Sequence, residues 1–139
     1  MQKINVIPVL LVLTLAVIGG SCSRKEGVDT PFTRIVGKWK KVNYATDDNG
    51  NGAIDPYEIH EVENGVNNTI AFNADSTGYE TNDFTPQLNF TWRVVEDSIY
   101  RTGSGHLSIV YHLAAVNSNN LTLTTNTNLG LAWYMYEKR

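Results

Sequence analysis

From Arg34 onward, apolar and polar residues trade places at every second position, in short runs broken by Gly, Asn, Asp and Ser. That is the pattern of half-buried strands rather than of helices. A first run, 35–44, is centred on Gly37 and Trp39; a second covers 66–73; after a turn at 73–78 a third covers 78–82. Leu88, Phe90, Trp92 and Val94 then share one face of a strand while Thr91, Arg93 and Val95 take the other, because successive side chains point to opposite sides. Ile99 and Tyr100 form a short strand, and Leu107, Ile109, Tyr111, Leu113 and Ala115 alternate along a longer one. Leu121 and Leu123 line a seventh strand; Leu129, Leu131, Trp133 and Met135 line the last, with Tyr134 and Tyr136 on its opposite face. The expectation is an all-β fold of about eight antiparallel strands, closing into an up-and-down barrel and so removing its edges, with a two-sheet sandwich as the competing arrangement. One short helix is expected over 56–63, where Asp55 can cap, Pro56 fits the first helical position and Glu58 completes a capping box.

The start of the chain has a different character. Lys3 precedes a nearly unbroken apolar run over 4–18, followed by Gly19-Gly20-Ser21-Cys22. This reads as an export signal over 1–21, with 22–33 a tether of mixed charge and 34–139 the folded domain. Small residues before a lone cysteine resemble the lipobox of bacterial lipoproteins, which implies lipidation at Cys22; Gly19 stands where a strict lipobox has Leu, and the alternative is an ordinary cleaved signal with Cys22 an incidental thiol. The expected location is then the bacterial outer membrane, on its periplasmic or its surface face, with the membrane as a partner through the lipid. Cys22 is the one cysteine, so an intrachain disulfide, a thiolate metal cluster and a paired-cysteine redox centre are all excluded.

Composition narrows the partners. The 139 residues carry 11 Lys and Arg against 14 Asp and Glu, a formal charge of -3, and loss of Lys3 with the signal makes the rest more acidic. With no basic stripe to follow a phosphate backbone, nucleic acid is not expected as a partner. The length beyond the signal suits one domain with a core of its own and is too short for two, and a monomer is expected.

One stretch carries explicit chemistry. Residues 47–58, DDNGNGAIDPYE, place oxygen donors where a twelve-residue EF-hand-type loop holds Ca²⁺: Asp47, Asn49, Asn51, the Ala53 carbonyl, Asp55 through water, and Glu58. Gly52 falls at the sharp turn and Ile54 at the apolar anchor. Upstream the sequence reads as strand and no second loop follows, so the expected role is a structural staple rather than a sensor, with a dissociation constant on the order of 10⁻⁵ to 10⁻³ M. The competing interpretation is a solvated Asp/Asn/Gly turn. His60, His106 and His112 lack metalloprotease spacing, Gly103-Ser104-Gly105 sits in a hairpin, and adjacent Glu96 and Asp97 point apart on an extended chain; no enzyme is expected. Phe90, Trp92, Tyr111 and Trp133 are expected inside the barrel, as filling or as the lining of a small-molecule pocket. Tyr134 and Tyr136 are expected outside, as a contact surface for another envelope protein.

The segment Ile35-Val36-Gly37-Lys38-Trp39-Lys40 resembles the G-x-W opening of lipocalin-like domains. The Asp/Asn/Gly insertion after it, the stretch NTIAFNADSTG at 68–78 and the closing YMYEK at 134–138 are similar to lipocalin-like lipoproteins of Bacteroidetes. The resemblance implies a barrel with Trp39 packed across one end. Two functions stay open: a calcium-stapled barrel holding a small hydrophobic ligand, and a solid-cored envelope interaction module with neither cavity nor metal.

Overall fold

A computed structural model describes residues 29–63, 65–104 and 108–139. The export signal, Cys22 and most of the tether, together with Leu107 and His106, lie outside the described residues.

Among the described residues nine antiparallel strands follow in chain order: β1 (Gly37–Thr46), β2 (Ile59–Glu61), β3 (Thr69–Phe72), β4 (Thr77–Thr81), β5 (Leu88–Val95), β6 (Ser98–Gly103), β7 (Ser108–Val116), β8 (Asn120–Thr127) and β9 (Gly130–Lys138). Sequential neighbours pair from β3 to β9, and β9 returns to pair with β1 along nearly its whole length, from Trp39↔Lys138 to Thr46↔Ala132. That pairing closes eight strands into a barrel and leaves no free edge between first and last. The all-β, up-and-down barrel expected from the alternation is therefore what the chain forms.

The ninth strand is β2, and it stands where a helix was expected. Only Pro56–Glu58 turns helically, as a single 3₁₀ turn. Ile59, His60 and Glu61 then pair with Ala45, Tyr44 and Asn43 of β1. Capping at Asp55 and Pro56 starts a turn, but the backbone groups beyond it are satisfied by the edge of β1 that β3 leaves uncovered, and this ladder wins over helix propagation. The front half of β1 pairs with β3 and the back half with β2.

One end of the barrel is plugged. Pro31–Ile35 forms a short helix, α1, whose Thr30 and Thr33 cap each other: Thr33 N donates to Thr30 Oγ1 at 3.2 Å and Thr30 N to Thr33 Oγ1 at 2.9 Å. Phe32 stacks on Trp92 with ring centroids 4.7 Å apart, and Ile35 is fully buried. The folded unit thus begins before Arg34, taking in the last residues assigned to the tether. Trp39 lies across this end, its indole N–H donating to the Ile35 carbonyl at 2.7 Å and its ring covered by the Lys138 ammonium at 4.2 Å. This is the place that the G-x-W resemblance implied. Ile70, Phe72, Phe90, Trp92, Ile99, Leu121 and Leu123 fill the space behind it. Gly78 is required there by close approach, since a side chain would run into the Phe90 ring and the Ala71 carbonyl.

The face assignment of β9 is reversed relative to the expectation. Leu121 is opposite Tyr136, Leu123 opposite Tyr134 and Thr125 opposite Ala132, so Tyr134 and Tyr136 point inward with the β8 leucines. Trp133 and Met135 take the outer face; Trp133 is nonetheless buried, beside its register partner Ala45, and outside the main core. Both faces of β9 are apolar over this stretch, so hydrophobicity carries no information on which one turns in. On β7 a register shift between Leu113 and Ala115 ends the predicted alternation: Ala115 is exposed, and Val116 packs against the core opposite Leu121.

Candidate functional site

Toward the other end of the barrel the inner face changes from apolar to charged and phenolic. The two-residue period that buries Trp39 carries Lys41 inward after it; the same period carries Glu80 inward after Gly78 and Arg101 inward after Ile99. Arg101 Nη1 meets Glu80 Oε2 at 2.6 Å, with side-chain exposures of 7% and 23%, and its guanidinium lies 4.2 Å from the Phe90 ring centroid. Lys41 stands over the rings of Tyr134 and Tyr136, at 4.7 and 5.8 Å, and Tyr111 meets Tyr134 edge-on. Burial lowers the Lys41 pKa, with Glu80 opposing and Arg101 adding to the shift. Burial pushes the Tyr136 phenol well above its ordinary value, and Tyr111 and Tyr134 shift in the same direction for the same leading reason.

Beyond these groups the barrel opens into a hollow of about 410 Å³ lined by Lys41, Tyr44, Glu61 and Tyr134 from the strands and by Val62, Glu63, Val66, Asn68 and Phe84 from the connections around the mouth. Tyr44, Leu88 and Ile109, all on inward-facing positions, are substantially exposed near this end, as is Phe84 in the β4–β5 connection. A larger depression, about 670 Å³, lies along β4 to β6 and includes the outward residues Tyr79, Asn89, Thr91 and Thr102.

The loop at 47–58 leaves β1 at the open end, where Asp47 N donates to the Leu131 carbonyl at 2.9 Å. Its backbone is organised around carboxylates. Asp47 accepts from Asn51 N at 3.0 Å and Gly52 N at 2.8 Å; Glu58 accepts from Asp48 N at 3.0 Å and Asp55 N at 2.9 Å. Gly52, with φ of 77°, takes the left-handed conformation that the sharp turn requires. The side-chain amides of Asn49 and Asn51 both donate to Asp55 Oδ2, at 2.7 and 3.1 Å. Asp47 and Glu58 are buried, Glu58 to 1% exposure, and among the described residues no Lys, Arg or His lies within ion-pair distance of Asp47, Asp55 or Glu58. No set of three or more His, Cys, Asp or Glu side chains among the described residues is grouped to hold a metal by itself. The donor set read from the sequence also draws on Asn49, Asn51 and the Ala53 carbonyl, all exposed.

Of the four aromatic residues expected to line a pocket, Phe90 and Trp92 belong to the packed core, Phe90 also bordering the 670 Å³ depression, and Tyr111 lies between that core and the charged cluster. Trp133 faces away from the interior. The residues that reasoning from hydrophobicity passed over are Lys41, Glu80, Arg101 and Tyr134, and extending the two-residue period of each strand past its apolar residues would have found the three charges. His60 stacks on Tyr44 and exposed His112 contacts Ser98 Oγ at 3.1 Å, each away from the other.

A closed barrel of eight antiparallel strands, plugged at the tryptophan end and open at the other, is the architecture of lipocalin-like proteins. The chain matches the lipocalin-like domain family over residues 35–123, well over half its length, and belongs to that family. Among solved structures it is similar to a lipocalin-like protein from Bacteroides uniformis, at 10% identity and a TM-score of 0.57, over 76% of this chain and 99% of the other. At that identity the likeness concerns the fold. No curated protein matches.

Proposed function

We propose that this is a binding protein of the bacterial envelope, tethered by a lipid on Cys22, whose barrel holds a small hydrophobic ligand at its open end and is stapled there by Ca²⁺ in the 47–58 loop. It works by binding and not by catalysis. The observation that carries the ligand reading is the hollow of about 410 Å³ at the open end, between Lys41, Tyr44, Tyr134 and Phe84, while the core cluster fills the barrel behind Trp39 and α1. That volume lies in the range of small-molecule sites, and exposed apolar side chains at the mouth give a ligand a surface to leave water for. Calorimetric titration with octanol, a neutral amphiphile, tests it. Saturable heat is expected, and its absence supports the solid-cored alternative.

The calcium reading is supported by the loop's charge. Asp47, Asp55 and Glu58 lie on one loop, two of them nearly or fully buried, and accept from amide N–H donors with no cation side chain within ion-pair distance among the described residues. A divalent ion held by these carboxylates, by Asn49 and Asn51 oxygens and by the Ala53 carbonyl would supply the positive charge that the loop lacks. For a dissociation constant on the order of 10⁻⁴ M, millimolar Ca²⁺ should stabilise the fold by about 1.4 kcal/mol, or roughly 3–6 °C in melting temperature. Identical melts in Ca²⁺ and in EDTA would remove the staple from the account, and Asp55→Asn should reduce the shift.

A further inference from the structure

The interior of the open half holds more positive than negative charge. On the strands' inward positions Arg101 is matched by Glu80 at 2.6 Å, whereas Lys41 has no carboxylate within ion-pair distance among the described residues and donates no hydrogen bond to them. Half-buried, its ammonium stands over the rings of Tyr134 and Tyr136, an environment that favours a cation but supplies no carboxylate to pair with it. It lies in the wall of the 410 Å³ hollow. The carboxylates sharing that wall, Glu61 and Glu63, are exposed at the rim, where water screens them. Beside these carboxylates the mouth also exposes apolar side chains: Tyr44, Phe84, Leu88 and Ile109. An unmatched cation inside and apolar side chains at the mouth are complementary to a molecule with an anionic head and an apolar body.

We infer that the open end takes a carboxylate-headed amphiphile, its carboxylate on Lys41 Nζ and its hydrocarbon against the apolar side chains at the mouth. This rests on the proposed ligand-binding role of the same hollow and specifies the ligand's chemistry. The ammonium supplies the N–H donors, and pairing within the barrel is shielded from salt in a way that a surface contact is not. Glu80 holds Arg101, so Lys41 rather than Arg101 is the anchor.

Calorimetry of the full chain with octanoate, octanol and octyltrimethylammonium separates the possibilities. Octanoate should bind at least roughly tenfold tighter than octanol, the difference that a hydrogen-bonded charged head makes, with the cation weakest. In Lys41→Met, which keeps side-chain length and removes the charge, the preference for octanoate over octanol should be lost; Lys41→Arg should retain it. A cooperative urea transition shows that the variant is folded. Equal affinity for octanoate and octanol overturns the carboxylate assignment and leaves the hydrophobic-ligand reading standing. A preference that survives in Lys41→Met overturns Lys41 as the anchor. No binding by any of the three overturns both.

Discussion

Replacing Arg101 by Met should destabilise the domain by about 2–3 kcal/mol. The substitution keeps an apolar stem and a polarisable sulfur against Phe90, which the guanidinium faces at 4.2 Å, so packing is largely retained. What is lost is the partner of Glu80. Removing one member of a fully buried pair costs about 3–5 kcal/mol because the remaining charge is stranded. Glu80 keeps 23% side-chain exposure, which lets water compensate part of that and sets the estimate below the range for full burial. The double variant Glu80→Gln/Arg101→Met has no stranded charge and should lie within about 1 kcal/mol of the parent. Equilibrium urea unfolding of the parent, both single variants and the double reads these values, provided the slope with denaturant stays the same. Costs that simply add, or a loss below about 0.5 kcal/mol for Arg101→Met, would show that the pair is not the buried, mutually dependent contact described here.

Two further outcomes follow from the packing and the buried phenols. Phe32→Ala should lower stability by about 2 kcal/mol through the lost stack on Trp92, measured as a fall in urea midpoint; a neutral result would return α1 to the tether. Tyr136 has its pKa raised well above 10.0 by burial, so the unfolded chain releases that proton first: its contribution is intact below about pH 10 and is lost as pH rises from there toward the folded-state value. Lys41 has the opposite sign, so the clean readout is the difference between parent and Tyr136→Phe, which should show a shallower alkaline decline; parallel curves across that range would contradict the buried placement.

Much of the barrel was legible because its strands are half-buried and advertise it. Phe90, Trp92 and Val94 on β5, and Leu121 and Leu123 on β8, alternate against polar neighbours and face where alternation puts them. β9 defeats the same reasoning because Leu131-Ala132-Trp133-Tyr134-Met135-Tyr136 is apolar on both sides; its facing is set by registers with β8 and β1, which are long-range facts. The strand β2 was hidden by good helix-start chemistry at Asp55, Pro56 and Glu58, whose competing β1 edge becomes available only once β3 pairs elsewhere. Residues 47–58 were legible as a loop with oxygen donors in register, and the Asp47 and Glu58 backbone contacts agree with that ordering without testing metal. The charged interior was missed for a simpler reason. A search for apolar faces stops at Lys41, Glu80 and Arg101, although their parity already places them on the inward side.

The central claim is that the barrel is functionally one-ended, with its ligand seated in the mouth. Backbone amide NMR of the chain titrated with octanol tests it most directly. The account predicts shift changes concentrated at Lys41, Tyr44, Val62, Phe84 and Tyr134, with the plugged end around Phe32, Trp39 and Phe72 unmoved. Changes centred instead on Tyr79, Asn89, Thr91 and Thr102 of the outer depression, or none at all, would contradict it.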